Sequence, residues 1–132
     1  MNRLLPFVAD LDTGGFWEAS RRGQLAVRVC DACDHVLHLP RAYCHRCGSW
    51  EGRWMPVSGR ASLYSWTTVV HQVHPAFRPP YTIVLVELVD HPDVRLVGHL
   101  EGEPSLHQGQ LMEPWFEKLE DGTVLPQWRP VA

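Results

Sequence analysis

The sequence predicts a mainly β chain: a short N-terminal helix, a cysteine-clipped β-ribbon and then a five-stranded barrel. Three observations lead there. All four cysteines fall between residues 30 and 47 as two C-x-x-C pairs. Five segments rich in β-branched and aromatic residues follow at short spacing after residue 60. The 11 prolines and 10 glycines are spread along the chain, which suits short strands and many turns. A chain of 132 residues has room for one ordinary domain, or for a metal-clipped module joined to a compact second one. At 45% hydrophobic and 20% charged residues it is globular rather than disordered.

The opening "MNRLLPFVADLD" has a brief apolar stretch broken by Pro6 and by acids, so it reads as neither a signal peptide nor a membrane span. No membrane association and a cytoplasmic location are the expectations. "GGFWEASRRG" predicts a short helix over roughly Gly15 to Arg22, ended by Gly23. Its apolar content, chiefly Phe16 and Trp17, is too small to form a core, so it must pack on the rest of the domain or on a partner. "QLAVRVC" alternates Leu25, Val27 and Val29 against Ala26 and Arg28, a strand leading into the first cysteine pair. "HVLHLPRAYC" leads into the second, with Pro40 suited to a turn or an edge.

After "GSWEGRWMPVSG" five strands are predicted in "RASLYSWTTVVHQ", "YTIVLVELV", "VRLVGHLE", "QLMEPWFEKL" and "TVLPQWRP". Five is the strand count of an OB-fold barrel, although pattern alone leaves other five-stranded barrels open. The expected divisions are a helical segment over 1–24, a ribbon over 25–53 and a barrel over 54–132.

Cys30 and Cys33 form one knuckle, Cys44 and Cys47 the other, with ten residues between the pairs. Each C-x-x-C turn places two sulfurs on one side of an ion, and together they complete the tetrahedral shell that zinc prefers. Iron in a rubredoxin-like centre uses the same ligands. The residue after the second cysteine of a knuckle needs a left-handed backbone, which Gly48 adopts freely and Asp34 tolerates. Four thiolates close the shell and leave no position for substrate, so the predicted zinc is structural. With such ligands present, His35, His38 and His45 read as surface or supporting groups.

No nucleophile elbow, phosphate loop, dinucleotide fingerprint or spare cysteine occurs, so no catalytic residue is assigned. "VVHQVHPAFRPPY" offers Phe77 and Arg78 beside His71, with Trp66 upstream, as a surface for a partner or an anionic ligand. Residues 1–60 hold eight arginines against six acids, while residues 61–132 hold four basic residues against nine acids. The acidic second half, and Lys118 as the one lysine, argue against nucleic acid as partner. A single-stranded nucleic-acid binder, as OB-folds with aromatics can be, is the alternative reading.

The order of "FWEASRRGQLAVRVCDACDHVLHLPRAYCHRCGSW", "WMPVSGRASLYSWTTVVH", "YTIVLVEL" with "VRLVGHL", and "EDGTVLPQWRP" resembles the DUF35 family over nearly the whole chain. Asp34 stands where that family usually has glycine, and His45 where it often has proline. The resemblance implies a rubredoxin-like zinc ribbon followed by an OB-fold. It further implies an accessory subunit of a thiolase-like or lipid-transfer-protein-like aldolase acting on acyl-CoA thioesters, steroid side chains among them. Catalysis would belong to that partner, and a hydratase (MaoC-like) domain or subunit would be a further associate.

Overall fold

A computed structural model of the chain describes residues 3–132. Met1 and Asn2, the first residues of the N-terminal stretch read above, lie outside the described residues. Among these, one helix and eight strands form two compact units. No helix is long and apolar enough to cross a membrane.

The first unit comprises Pro6–Ser58 with Lys118–Leu125. Helix α1 spans Gly14–Arg21. Asp10 holds its entrance, accepting hydrogen bonds from the Thr13 amide at 2.9 Å and from the Thr13 hydroxyl. Its exit is the predicted one: the amides of Arg22 and Gly23 bond back to the carbonyls of Ala19 and Ser20, with Gly23 at a φ of 74°. The helix rests on the ribbon's own sheet. Gly15 lies so close to Trp54 that a Cβ there would sit 2.0 Å from the indole Nε1, and the buried Ser20 hydroxyl donates to the Val124 carbonyl at 2.7 Å.

That sheet differs from the two-strand ribbon expected from the sequence. It has three strands, β1 (Leu25–Cys30), β2 (Val36–Leu37) and β3 (Gly52–Val57), in the order β2-β1-β3. β1 meets β2 over two residues only but pairs with β3 along its whole length, from Leu25↔Val57 to Cys30↔Gly52. The main partner of β1 is therefore a segment whose Gly and Pro hid it. Pro56 removes one backbone donor, which an edge strand such as β3 tolerates. Central placement also buries both faces of β1: Ala26 is as inaccessible as Leu25, Val27 and Val29, against the one-sided burial that alternation implies.

The second unit comprises Gly59–Glu117 and Pro126–Ala132 with residues 3–5. Its antiparallel sheet contains β4 (Ala61–Val69), β5 (Tyr81–Leu88), β6 (Arg95–Glu101), β7 (Leu111–Lys118) and β8 (Val124–Pro130), in the order β6-β5-β4-β7-β8. All five strands predicted from the sequence are present. β4 serves two partners: it pairs with β5 from Ala61↔Leu88 to Val69↔Tyr81, and with β7 through Ala61↔Met112 and Ser62↔Leu111. A bulge between Leu63 and Ser65 supplies the bend this needs. The two ends of the strand order come together, since the His99 amide of β6 donates to Gln127 Oε1 of β8 at 2.8 Å. A Cβ on Gly98 would lie 2.9 Å from Trp128 Cδ1, so the sheet curls around that indole. Leu63, Val84, Val86, Met112 and Trp128 fill the interior, all at or below 1% exposure.

Candidate functional site

Strand β1 delivers Cys30 to the first knuckle, and the loop after β2 builds the second. The two knuckles repeat one pattern of backbone bonds. Asp34 N–H donates to the Cys30 carbonyl at 2.9 Å, and Gly48 N–H donates to the Cys44 carbonyl at 2.8 Å. Cys30 N–H reaches the carbonyl of His35, and Cys44 N–H that of Ser49. Asp34 and Gly48 take φ values of 60° and 82°, the left-handed pair expected from the sequence. Arg53 of β3 ties the first knuckle down, donating to Asp31 at 2.8 Å and to Asp34 at 3.3 Å.

The four sulfurs lie within 4.8 Å of one another. Cys30 and Cys47 are 3.5 Å apart, and Cys33 and Cys44 3.7 Å. A zinc ion with sulfur at about 2.3 Å spaces its tetrahedral ligands by about 3.8 Å, so size and donor set fit a zinc ion. The histidines of this segment are not needed for it: His35 packs edge-on against His45 and meets Arg46 Nη1 through Nδ1 at 3.1 Å. The surroundings of the four thiols act on them unequally. Burial pushes Cys44 up, but the amides of Cys47 and Arg46 and the adjacent sulfurs outweigh it and lower this thiol to about 7. The His35 amide draws Cys33 down, yet burial and the three neighbouring sulfurs outweigh it, and the thiol is pushed up to about 12. A bound cation would hold all four as thiolates.

A second feature lies in the barrel unit, in the loop between β4 and β5. There the Phe77 amide closes a turn on the His74 carbonyl at 3.0 Å, and His74 Nδ1 accepts from the Ala76 amide. The turn presents Phe77 and Arg78 to a cleft of about 470 Å³, also lined by Arg3, Pro80, His99 and Glu101. Phe77, Tyr81 and His99 form an aromatic wall, with ring centroids 5.1 to 6.0 Å apart. Arg3 covers the Phe77 ring at 5.4 Å and pairs with Glu117 at 2.7 Å. Burial, then the nearby Arg3 charge, lowers the His99 pKa against the opposing pull of Glu117 and Glu101.

Of the four surface residues singled out in the sequence, the structure thus brings Phe77 and Arg78 together in one cleft. Trp66 and His71 do not line it: Trp66 stands on β4 opposite Val84, 40% exposed, and His71 is exposed in the loop. Arg3, His99 and Glu101 were missed. Arg3 carried no local signal, being 114 residues from Glu117. His99 and Glu101 were legible only as strand positions, and it takes the pairing Ile83↔His99 and Tyr81↔Glu101 to set them beside the loop.

Comparison with known proteins agrees with this layout. Residues 17–51 match the rubredoxin-like zinc ribbon domain of ChsH2, and residues 54–117 match its C-terminal OB-fold domain. A chain of the solved Ltp2-ChsH2(DUF35) aldolase superposes with a TM-score of 0.85 at 29% identity, covering 96% of this chain and 100% of that one. A probable enoyl-CoA hydratase alpha subunit of Thermomonospora curvata is 38% identical over 121 residues. That match takes in 89% of this chain but 37% of the relative, so the chain spans little more than a third of its length. With the zinc ribbon and the OB-fold both matched, in that order along one chain, this protein belongs to the DUF35 family, of the ChsH2 type.

Proposed function

We propose that this chain is a non-catalytic accessory subunit that docks on a lipid-transfer-protein-like or thiolase-like enzyme. The enzyme cleaves a carbon–carbon bond of an acyl-CoA thioester, and the chain helps to form its acyl-CoA channel. The observation that carries this reading is the likeness, over nearly the full length of both chains, to a chain of an aldolase in which ChsH2(DUF35) is combined with Ltp2. The closed four-thiolate shell supports a structural metal rather than chemistry in this chain. Phe77 and Arg78, and beyond the cleft Trp66 and His71, are the surface assigned to the partner or to the acyl-CoA. Steroid side chains are the proposed substrates, and the cytoplasm the proposed location. The hydratase relative, longer than this chain, supports a hydratase domain or subunit in the same assembly.

A tagged chain recovered from native extract tests this. Near-stoichiometric recovery of a thiolase-fold or lipid-transfer-protein-like subunit is expected, with acyl-CoA cleavage by the pair and none by the chain alone. Recovery of the chain alone, turnover by it unaided, or salt-sensitive oligonucleotide binding in place of an enzyme partner overturns the reading.

A further inference from the structure

The chain that carries the second knuckle has little regular structure to hold it. Residues 38–51 lie in no strand or helix, and β2, just before them, meets β1 over two residues only. Within the knuckle the amide bonds are internal, from Gly48 to Cys44 and from Cys44 to Ser49. Its entry is tied to the rest of the unit at Ala42, two residues before Cys44. The Ala42 amide donates to Asp12 Oδ1 at 2.8 Å, and the Ala42 carbonyl accepts from Arg28 Nη2 at 3.2 Å. One acid and one base thus take the two backbone groups of a single residue, Asp12 from the turn before α1 and Arg28 from β1. The place of Arg28 is closely built. Its Cζ lies 5.9 Å from the centroid of a Trp54 ring, and a Cβ on Gly52 would come within 2.8 Å of its Cζ and Nη2. Its Nε is buried without a partner, a cost that an apolar side chain on this central strand would not carry. Trp54 in turn stands against Gly15 of α1, so both tethers lead back to that helix.

We infer that Asp12 and Arg28 are positioning residues of the metal centre: together they clamp Ala42, keep Cys44 in place, and so set how fast zinc is released. Both bonds are charge-assisted, which makes them stronger than bonds between neutral groups. They act on the same residue, so losing either one lets the loop swing on the other. Groups that orient metal ligands without touching the ion govern its affinity in this way. The inference does not depend on which enzyme the chain serves.

The test follows release of zinc from the loaded full chain into an excess of a chromogenic chelator. Asp12→Ala and Arg28→Met should each speed release by about tenfold, the fold-change that loss of a charge-assisted hydrogen bond gives. The double variant should be little faster than the faster single one, because both residues act through Ala42. A general field effect on the thiolates would instead move the two in opposite directions, since one variant removes a negative charge and the other a positive one. Cobalt-loaded variants should keep the visible absorption of a tetrahedral four-thiolate site, which shows the ligand set unchanged. Wild-type release from both single variants, opposite effects of the two, or a double variant whose acceleration is the product of the single ones overturns the inference. If Arg28→Met loses the tetrahedral cobalt bands, the ribbon itself has failed, and the exposed Asp12 then carries the test: wild-type release from Asp12→Ala overturns the clamp.

Discussion

In the ribbon, Cys30 and Cys44 are themselves core residues, buried together with Leu37. In the barrel the most deeply buried large side chains include Leu63, Val84, Val86, Met112 and Trp128, held by apolar contact and not by a ligand. A two-residue strand such as β2 cannot hold a loop of some fifteen residues by ladder bonds alone. The ion takes over the task that apolar area performs in the barrel, and it does so through four atoms. The barrel can spread its stability over many contacts, while the knuckle end of the ribbon concentrates it at one point. The two units should therefore fail differently.

Removing one ligand gives the largest effect. Cys44→Ser should abolish stoichiometric zinc binding and erase the native amide signals of residues 30–50, while those of β5 and β6 persist, as metal analysis and nitrogen-15 spectra would report. Loss of the whole spectrum would refute the contrast. The converse is a cavity in the barrel. Leu63→Ala should lower its stability by about 2–5 kcal/mol and leave the metal content unchanged, read by denaturant unfolding and zinc analysis on the same sample. Gly98→Ala tests the curl of the sheet around Trp128, where the added methyl meets both the indole and its backbone nitrogen. Overpacking of this kind should cost about 1–3 kcal/mol, and a neutral result would show that the sheet has room to relax.

The smallest effect is a pH dependence confined to the barrel. His99 has its pKa lowered by burial and by Arg3, so the fold favours the neutral ring. Its contribution is complete above the unfolded value near 6.5 and is lost as the pH falls through the lower folded value. Stability of the wild-type barrel should drop between neutral pH and mildly acidic pH more than that of His99→Gln. A His99 ring titrating at or above 6.5 by NMR would contradict the geometry.

Residues close in sequence were the legible ones. The knuckles follow from spacing, and the left-handed turns at Asp34 and Gly48 from what each residue tolerates. The five barrel strands could be read because β-branched runs are bounded by Gly, Pro and Asp. β3 was not legible, because "GRWMPV" contains a glycine and a proline that argue against a strand until its edge position is known. The cleft was half legible: Phe77 and Arg78 are adjacent in a loop and stand out as an aromatic and a cation. Arg3, His99 and Glu101 reach the same place from two other parts of the chain.

By itself the sequence determined the metal centre and the strand inventory, because both depend on spacing and side-chain type within about twenty residues. Only the tertiary structure decided that β3 is the main partner of β1, that Trp128 is the residue around which the barrel curls, and that Arg3, His99 and Glu101 share a cleft with Phe77 and Arg78. Each of those is a question of which distant groups meet. Pairing and charge neutralisation are settled by the register and closure of the sheet, which local periodicity does not encode.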